Sequence, residues 1–218
     1  MDDEGEKDWE AILSENLKSH WDAVYATKAP DSVSWYLPHL ERSIDLIERV
    51  APDRASSIID VGGGESTLVN DLLARGYRDI TVLDISMNAI HFSWKQAAEH
   101  AERVTWMVAD ITKVALPSQR FSVWHDRAVF HFLTDPAARA AYVERVAQSM
   151  KIGGHVIVAT FGPGGPTKCS GLDIVRYDSD SLHAQFGSHF RLLESSTELH
   201  KTPFGTTQQF LYCLCRVE

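Results

Sequence analysis

The sequence predicts an α/β domain: a seven-stranded, mostly parallel sheet with helices on both faces and an antiparallel strand at its end. Three features carry that reading. Strand-like runs alternate with helical stretches, a glycine-rich turn closes the first strand, and the last two strands follow each other with no helix between them. A chain of 218 residues suits one domain, since roughly 70% of the unfolded surface is buried on folding at that length. Its 44% hydrophobic and 23% charged residues exclude a fibrous or largely disordered chain.

The first eight residues are acidic and read as frayed. From there Trp9, Ile12, Leu13, Leu17, Trp21 and Val24 recur at three- and four-residue steps, which predicts an amphipathic helix up to the break at Ala29-Pro30-Asp31. Residues 1–39 therefore form an acidic segment and a lid-like helix, and 40–218 the main domain. Leu40 to Val50 reads as a helix, Ser57 to Val61 as a strand, Ser66 to Arg75 as a helix and Ile80 to Asp84 as a strand. The alternation continues with a helix near Asn88 to Glu102, strands at Val104 to Val108 and Phe121 to Trp124, a helix from Pro136 to Met150 and a strand from His155 to Thr160. Phe190 to Leu199 and Gln208 to Val217 then make a hairpin around Lys201-Thr202-Pro203-Phe204-Gly205, which places an antiparallel strand on the sheet.

A formal charge of -9 argues against a nucleic-acid surface, because such affinity comes from Lys and Arg neutralising phosphates. No apolar run approaches the length of about 20 residues that spans a bilayer, and Met1-Asp2-Asp3-Glu4 is the opposite of a basic secretory leader. The expected location is the cytoplasm. Cys169, Cys213 and Cys215 include no C-x-x-C pair and read as reduced thiols, the last two as small core residues on one side of a strand. Neither C-x-x-C nor H-E-x-x-H occurs among the ten histidines and three cysteines, so no metal is expected.

In an open parallel sheet, ligands bind beyond the carboxyl ends of the strands where strand order reverses. The first strand ends Ile58-Ile59-Asp60-Val61-Gly62-Gly63-Gly64-Glu65-Ser66-Thr67, where adjacent glycines let backbone approach a ligand and Ser66 or Thr67 can cap the next helix. Twenty residues beyond Gly64, Asp84 ends the second strand as a candidate acceptor for ribose hydroxyls, and Asp110 follows the third as an acceptor for an adenine amino group. Asp60 has two readings, one facing the ligand and one bonding backbone amides of the turn. The dinucleotide fingerprint G-x-G-x-x-G fails because Thr67 stands where its last glycine belongs.

This constellation resembles the class I S-adenosylmethionine-dependent methyltransferases, whose first motif reads hydrophobic-hydrophobic-Asp-hydrophobic-G-x-G-x-G; here Ser66 replaces the third glycine. The resemblance runs from about Leu40 to the end and implies a Rossmann-like fold with a terminal antiparallel strand. It also implies that Asp60, Gly62, Gly63 and Gly64 line the methionine end of S-adenosylmethionine. Asp84 holds the ribose, Ile85, Asp110 and Ile111 frame the adenine, and Trp124-His125-Asp126-Arg127 at the end of the fourth strand face the sulfonium, with Asp126 as a cofactor contact. S-adenosylhomocysteine is the implied product.

Methyl transfer gains much of its rate from alignment, so a catalytic base is optional. Asp126 and His131 are the polar candidates for catalysis, His131 reading equally as a proton acceptor or as a hydrogen-bonded structural residue. Arg127 either pairs with an acid inside the fold or contacts the substrate. The loop Phe161 to Gly171 reads as a site wall in which Lys168 and Cys169 are substrate contacts, a solvated lysine and a buried thiol being the alternatives. Trp35 and Tyr36, with Trp21 and Tyr25, either enclose an apolar substrate or pack in the core.

His20-Trp21-Asp22-Ala23-Val24-Tyr25 and Asp126-Arg127-Ala128-Val129-Phe130 are similar to segments of a methyltransferase branch that includes protein-lysine enzymes. The compact aromatic site without a basic docking surface favours a small acceptor instead, a thiol or related compound. A nicotinamide-dependent oxidoreductase and a non-catalytic S-adenosylmethionine-binding protein are the alternatives from other classes. The sequence leaves the oligomeric state open.

Overall fold

The computed structural model describes residues 3–218, with side chains from Glu15 onward. The expectations for the acidic start and for the side chains of Trp9, Ile12 and Leu13 lie outside the described residues. Helix α1 (Asp3–Thr27) leads into α2 (Glu41–Val50), β1 (Ser57–Val61), α3 (Leu68–Ala74), β2 (Asp79–Asp84), α4 (Met87–Ala97), β3 (Val104–Val108) and β4 (Phe121–Arg127). There follow α5 (Pro136–Ser149), β5 (Met150–Phe161), the two-residue strands β6 (Lys168–Cys169) and β7 (Leu172–Asp173), α6 (Ser179–Phe186), β8 (Phe190–Lys201) and β9 (Thr207–Val217).

Seven strands form one sheet in the order β3-β2-β1-β4-β5-β9-β8, with β6 and β7 as a separate hairpin. The first five strands run parallel, while β9 enters antiparallel beside β5 and pairs antiparallel with β8. Strand order reverses between β1 and β4, which opens the crevice in which such sheets bind ligands. Alternate residues face two apolar layers. Ile58, Val82, Val123 and Ile157 pack with α2 and α3, while Ile59, Leu83, Trp124 and Val156 pack with α5 and α6. Helices therefore cover both faces, as the near-continuous burial of β1, β2 and β4 requires.

Local chemistry starts the helices. Ser86 Oγ accepts Ala89 N–H (3.3 Å) at α4 and Asp135 caps α5 ahead of Pro136. Asp178 and Ser181 make a capping box at α6. Helix α4 stops at Ala97, short of the expected Glu102, because Ala98 takes φ +48° and the chain tightens into a 3-10 turn. Strand β5 starts at Met150, not His155: Met150 pairs with Phe121, and the register then shifts before Val123 meets His155. That irregularity uses Gly153 at φ +79° and disguised the strand as a loop. Cys213 and Cys215 are buried in one layer as unpaired thiols, as expected of core residues. No helix among the described residues is long and apolar enough to cross a membrane.

Candidate active site

The glycine turn is built at the carboxyl end of β1. Gly62 and Gly63 both donate their N–H to Leu83 O, at 2.7 and 3.2 Å, tying the turn to β2. Gly62 has φ +67°, and a Cβ there would lie 1.9 Å from Val129 Cγ2, so glycine is required on both counts. Ser66 is absent from the positive-φ residues, and its hydroxyl accepts Leu68 N–H at 3.1 Å at the start of α3. That explains why serine serves where the resembling motif has a third glycine.

The turn opens one wall of a cavity that also receives Asp60, Glu65, Asp84, Ile85, Asp110, Ile111, Trp35, Tyr36, Arg127 and Cys169. Most of the residues that the sequence singled out are thus brought together. Asp84 Oδ2 accepts Gly64 N–H (2.9 Å) and Oδ1 accepts Ser86 N–H (2.8 Å). Each oxygen keeps a further lone pair for a hydroxyl donor. Burial pushes Asp84 up to about 6, against the hydrogen bonds from Ser86 and Gly64 that favour its anion; neighbouring Asp60 and Asp22 add to the rise. Glu65 is raised to about 7 by burial and by the Asp84 charge. Asp60 Oδ1 meets His125 Nδ1 at 2.7 Å, and His125 Nε2 meets Ser43 Oγ at 2.9 Å, so Asp60 orients a histidine instead of holding turn amides. Asp110 Oδ1 accepts both Thr112 N–H (2.9 Å) and its hydroxyl (2.7 Å).

Three candidates stand elsewhere. Asp126 is fully buried on the opposite face of β4 from His125 and Arg127, where it accepts Val129 N–H (2.9 Å), Phe130 N–H (3.1 Å) and Tyr142 O–H (2.6 Å). It shapes the turn after β4 and lines no part of the cavity. His131 is also buried away from the cavity, stacked on Phe161 with 4.6 Å between centroids, and its Nδ1 accepts Phe161 N–H at 3.2 Å. Burial and then the Arg127 charge lower it to about 3, so it stays neutral and is a poor base near pH 7. Lys168 points to solvent on the β6–β7 hairpin and pairs with Asp173 at 3.1 Å, leaving Cys169 as the hairpin's contribution to the cavity.

Glu65 was absent from the expected set, and Tyr25 does more there than enclose a substrate. Glu65 sits inside the glycine turn, where a carboxylate between motif glycine and helix was the available signal. Tyr25 reaches across from α1 to Gly64, its Oη 2.7 Å from where a Gly64 Cβ would stand. Helix α1 is docked there by Asp22, whose Oδ1 accepts Ser86 O–H (2.6 Å) and whose carbonyl accepts Asn88 Nδ2 (2.9 Å). His125 lines the cavity as well, since period two along β4 puts it on the face of Arg127.

Four carboxylates line the cavity, and burial, with repulsion among them added, raises Glu65 and Asp84. Such a lining fits a cationic ligand carrying hydroxyls, as S-adenosylmethionine is. Glu65 supplies a test. Its folded value lies above the ordinary 4.5, so its contribution to stability is complete below that value and is lost as pH rises through about 7. Glu65→Gln is expected to stabilise the cofactor-free protein at pH 8 by ~1 kcal/mol after discounting for solvent screening, or about 2–4 °C. Thermal unfolding should show that gain shrinking steadily from pH 8 towards pH 5; a gain independent of pH would refute the assignment.

A methyltransferase domain profile matches residues 58–154, the stretch that carries β1 to β4 and the start of β5. The chain is 26% identical over 144 residues to the eEF1A lysine and N-terminal methyltransferase homolog of Drosophila melanogaster, covering 63% of this chain and 21% of that protein. It therefore spans about a fifth of that relative's length. It is 27% identical to the 2-heptyl-1-hydroxyquinolin-4(1H)-one methyltransferase of Mycobacteroides abscessus, covering 68% of this chain and 66% of that one. A similar fold occurs in the Burkholderia thailandensis 1,6-didemethyltoxoflavin-N1-methyltransferase, solved with 1,6-didemethyltoxoflavin and S-adenosylhomocysteine (TM-score 0.71, 18% identity, 97% of this chain and 89% of that chain). The matched stretch is the one that brings Asp60, Asp84 and Asp110 to the reversal of strand order, and the match supports a class I S-adenosylmethionine-dependent methyltransferase.

Proposed function

We propose that this chain transfers a methyl group from S-adenosylmethionine to a small nucleophilic acceptor, a thiol or related compound. Bound S-adenosylmethionine supplies a methyl group on a sulfonium, open to in-line attack. Asp84 would hold the ribose hydroxyls, Asp110, Ile85 and Ile111 would frame the adenine, and Asp60 with Gly62 to Gly64 would line the methionine end. Trp21 and Tyr25 on α1 wall the cavity, which supports a lid role for the segment before residue 40 over 40–218 and transfer by positioning alone.

The observation that carries the small-acceptor reading is the aromatic enclosure next to the glycine turn. Trp21 packs edge-on against Trp35 (5.8 Å) and Phe132 (5.1 Å), and all three line the cavity. Such walls suit a flat or apolar molecule. The free cysteines are compatible with a reducing cytoplasm. A second reading, methylation of a protein lysine, is favoured by the similarity to the Drosophila melanogaster relative. The two separate in one assay. With a panel of small thiols, S-adenosylhomocysteine should form above background; no turnover on the panel, with a labelled protein band from cell extract, reverses the preference.

A further inference from the structure

We propose that Arg127 sets acceptor choice by charge: the acceptor is a small aromatic anion, a thiolate or acidic hydroxylate, held against the wall that Trp21, Trp35 and Phe132 form. The proposal rests on the methyltransferase reading and names the acceptor class within it.

The cavity lining carries both signs of charge. Asp60, Glu65, Asp84 and Asp110 are its carboxylates, and Arg127 is the one guanidinium or ammonium lining the cavity among the described residues. Its side chain is only 5% exposed, so its field acts where screening by water is weak. The fork is fixed. Nε donates to Tyr212 Oη (3.1 Å), Nη1 donates to Trp35 O (3.0 Å), and the guanidinium carbon stands 4.2 Å from the Phe210 ring centroid.

Among the described residues no carboxylate pairs with it in bidentate fashion. Glu198 Oε2 stops 4.0 Å from Nη2, and neither atom has a hydrogen-bond partner. The positive field extends to the site wall, where it works against the burial that pushes the Cys169 thiol up to about 11. An ammonium acceptor would meet this charge and would also need a base; His131 is walled off, Cys169 stays a neutral thiol, and Glu65, the lining carboxylate raised to about 7, stands in the glycine turn beside Asp84. An acceptor that arrives ionised brings no proton to dispose of and is attracted by Arg127. The charge pattern therefore favours a thiolate or hydroxylate over an amine.

Calorimetry on the S-adenosylhomocysteine complex tests this without turnover. The probe is 4-nitrothiophenolate, ionised at pH 7.5, against its neutral S-methyl ether. The wild type should bind the anion at least about tenfold more tightly, equivalent to ~1.4 kcal/mol. Arg127→Met should abolish that preference, and Glu198→Gln, by removing the opposing charge, should increase it about threefold to tenfold. Should Arg127→Met fail to fold, Glu198→Gln decides: an unchanged or reduced preference overturns the proposal. Equal binding of anion and ether to the wild type also overturns it while leaving the methyltransferase reading intact. That reading fails separately, if S-adenosylhomocysteine itself does not bind.

Discussion

Asp126→Ala is expected to destabilise the protein by about 3–5 kcal/mol, because it strands buried donors that have no water to turn to. The substitution leaves Val129 N–H, Phe130 N–H and Tyr142 O–H without their acceptor. It also breaks a chain that continues from Trp124 Nε1 to Tyr142 Oη at 2.8 Å. For a domain of this size the loss corresponds to a fall of about 6–20 °C in Tm. Affinity of the folded protein for S-adenosylmethionine should weaken by less than about tenfold, or ~1.4 kcal/mol. A normal Tm combined with lost cofactor binding would return Asp126 to the site from which the geometry removes it.

Gly62→Ala is expected to cost about 2–5 kcal/mol, from the left-handed backbone and from overpacking against Val129. Its effect on the cofactor should be larger than that of Asp126→Ala, because the turn that must move is itself a wall of the cavity. Cofactor binding should be lost by calorimetry while far-UV circular dichroism still reports a folded α/β domain. Asp126 fixes Val129, and Val129 touches Gly62, so the two substitutions share a contact and their costs should not add. A double variant as unstable as the sum of the singles would contradict that coupling.

Much of this arrangement was legible in the sequence. Strands β1 and β3 match to the residue because each is a five-residue run bounded by turn chemistry, and Asp84 was legible as a carboxylate at the end of an apolar strand. The end of β4 was not. His125, Asp126 and Arg127 look like a cluster of functional groups, yet strand geometry sends alternate residues to opposite faces. One of the three is thereby separated from the other two. Hairpin β6–β7 and helix α6 were missed for a different reason: two-residue strands and an eight-residue helix carry too few periods to register. The contact of Tyr25 with the glycine turn was hidden because it depends on how α1 docks, through Asp22 onto Ser86 and Asn88, and no local pattern encodes that.

Isothermal titration of S-adenosylmethionine and S-adenosylhomocysteine, on the wild type and on Asp84→Ala, tests the central claim most directly. Both ligands should bind the wild type with one-to-one stoichiometry. Asp84→Ala should weaken both by at least about 100-fold, the equivalent of ~2.7 kcal/mol for losing charged hydrogen bonds to two hydroxyls. No binding by the wild type, or undiminished binding by a folded Asp84→Ala, would contradict it.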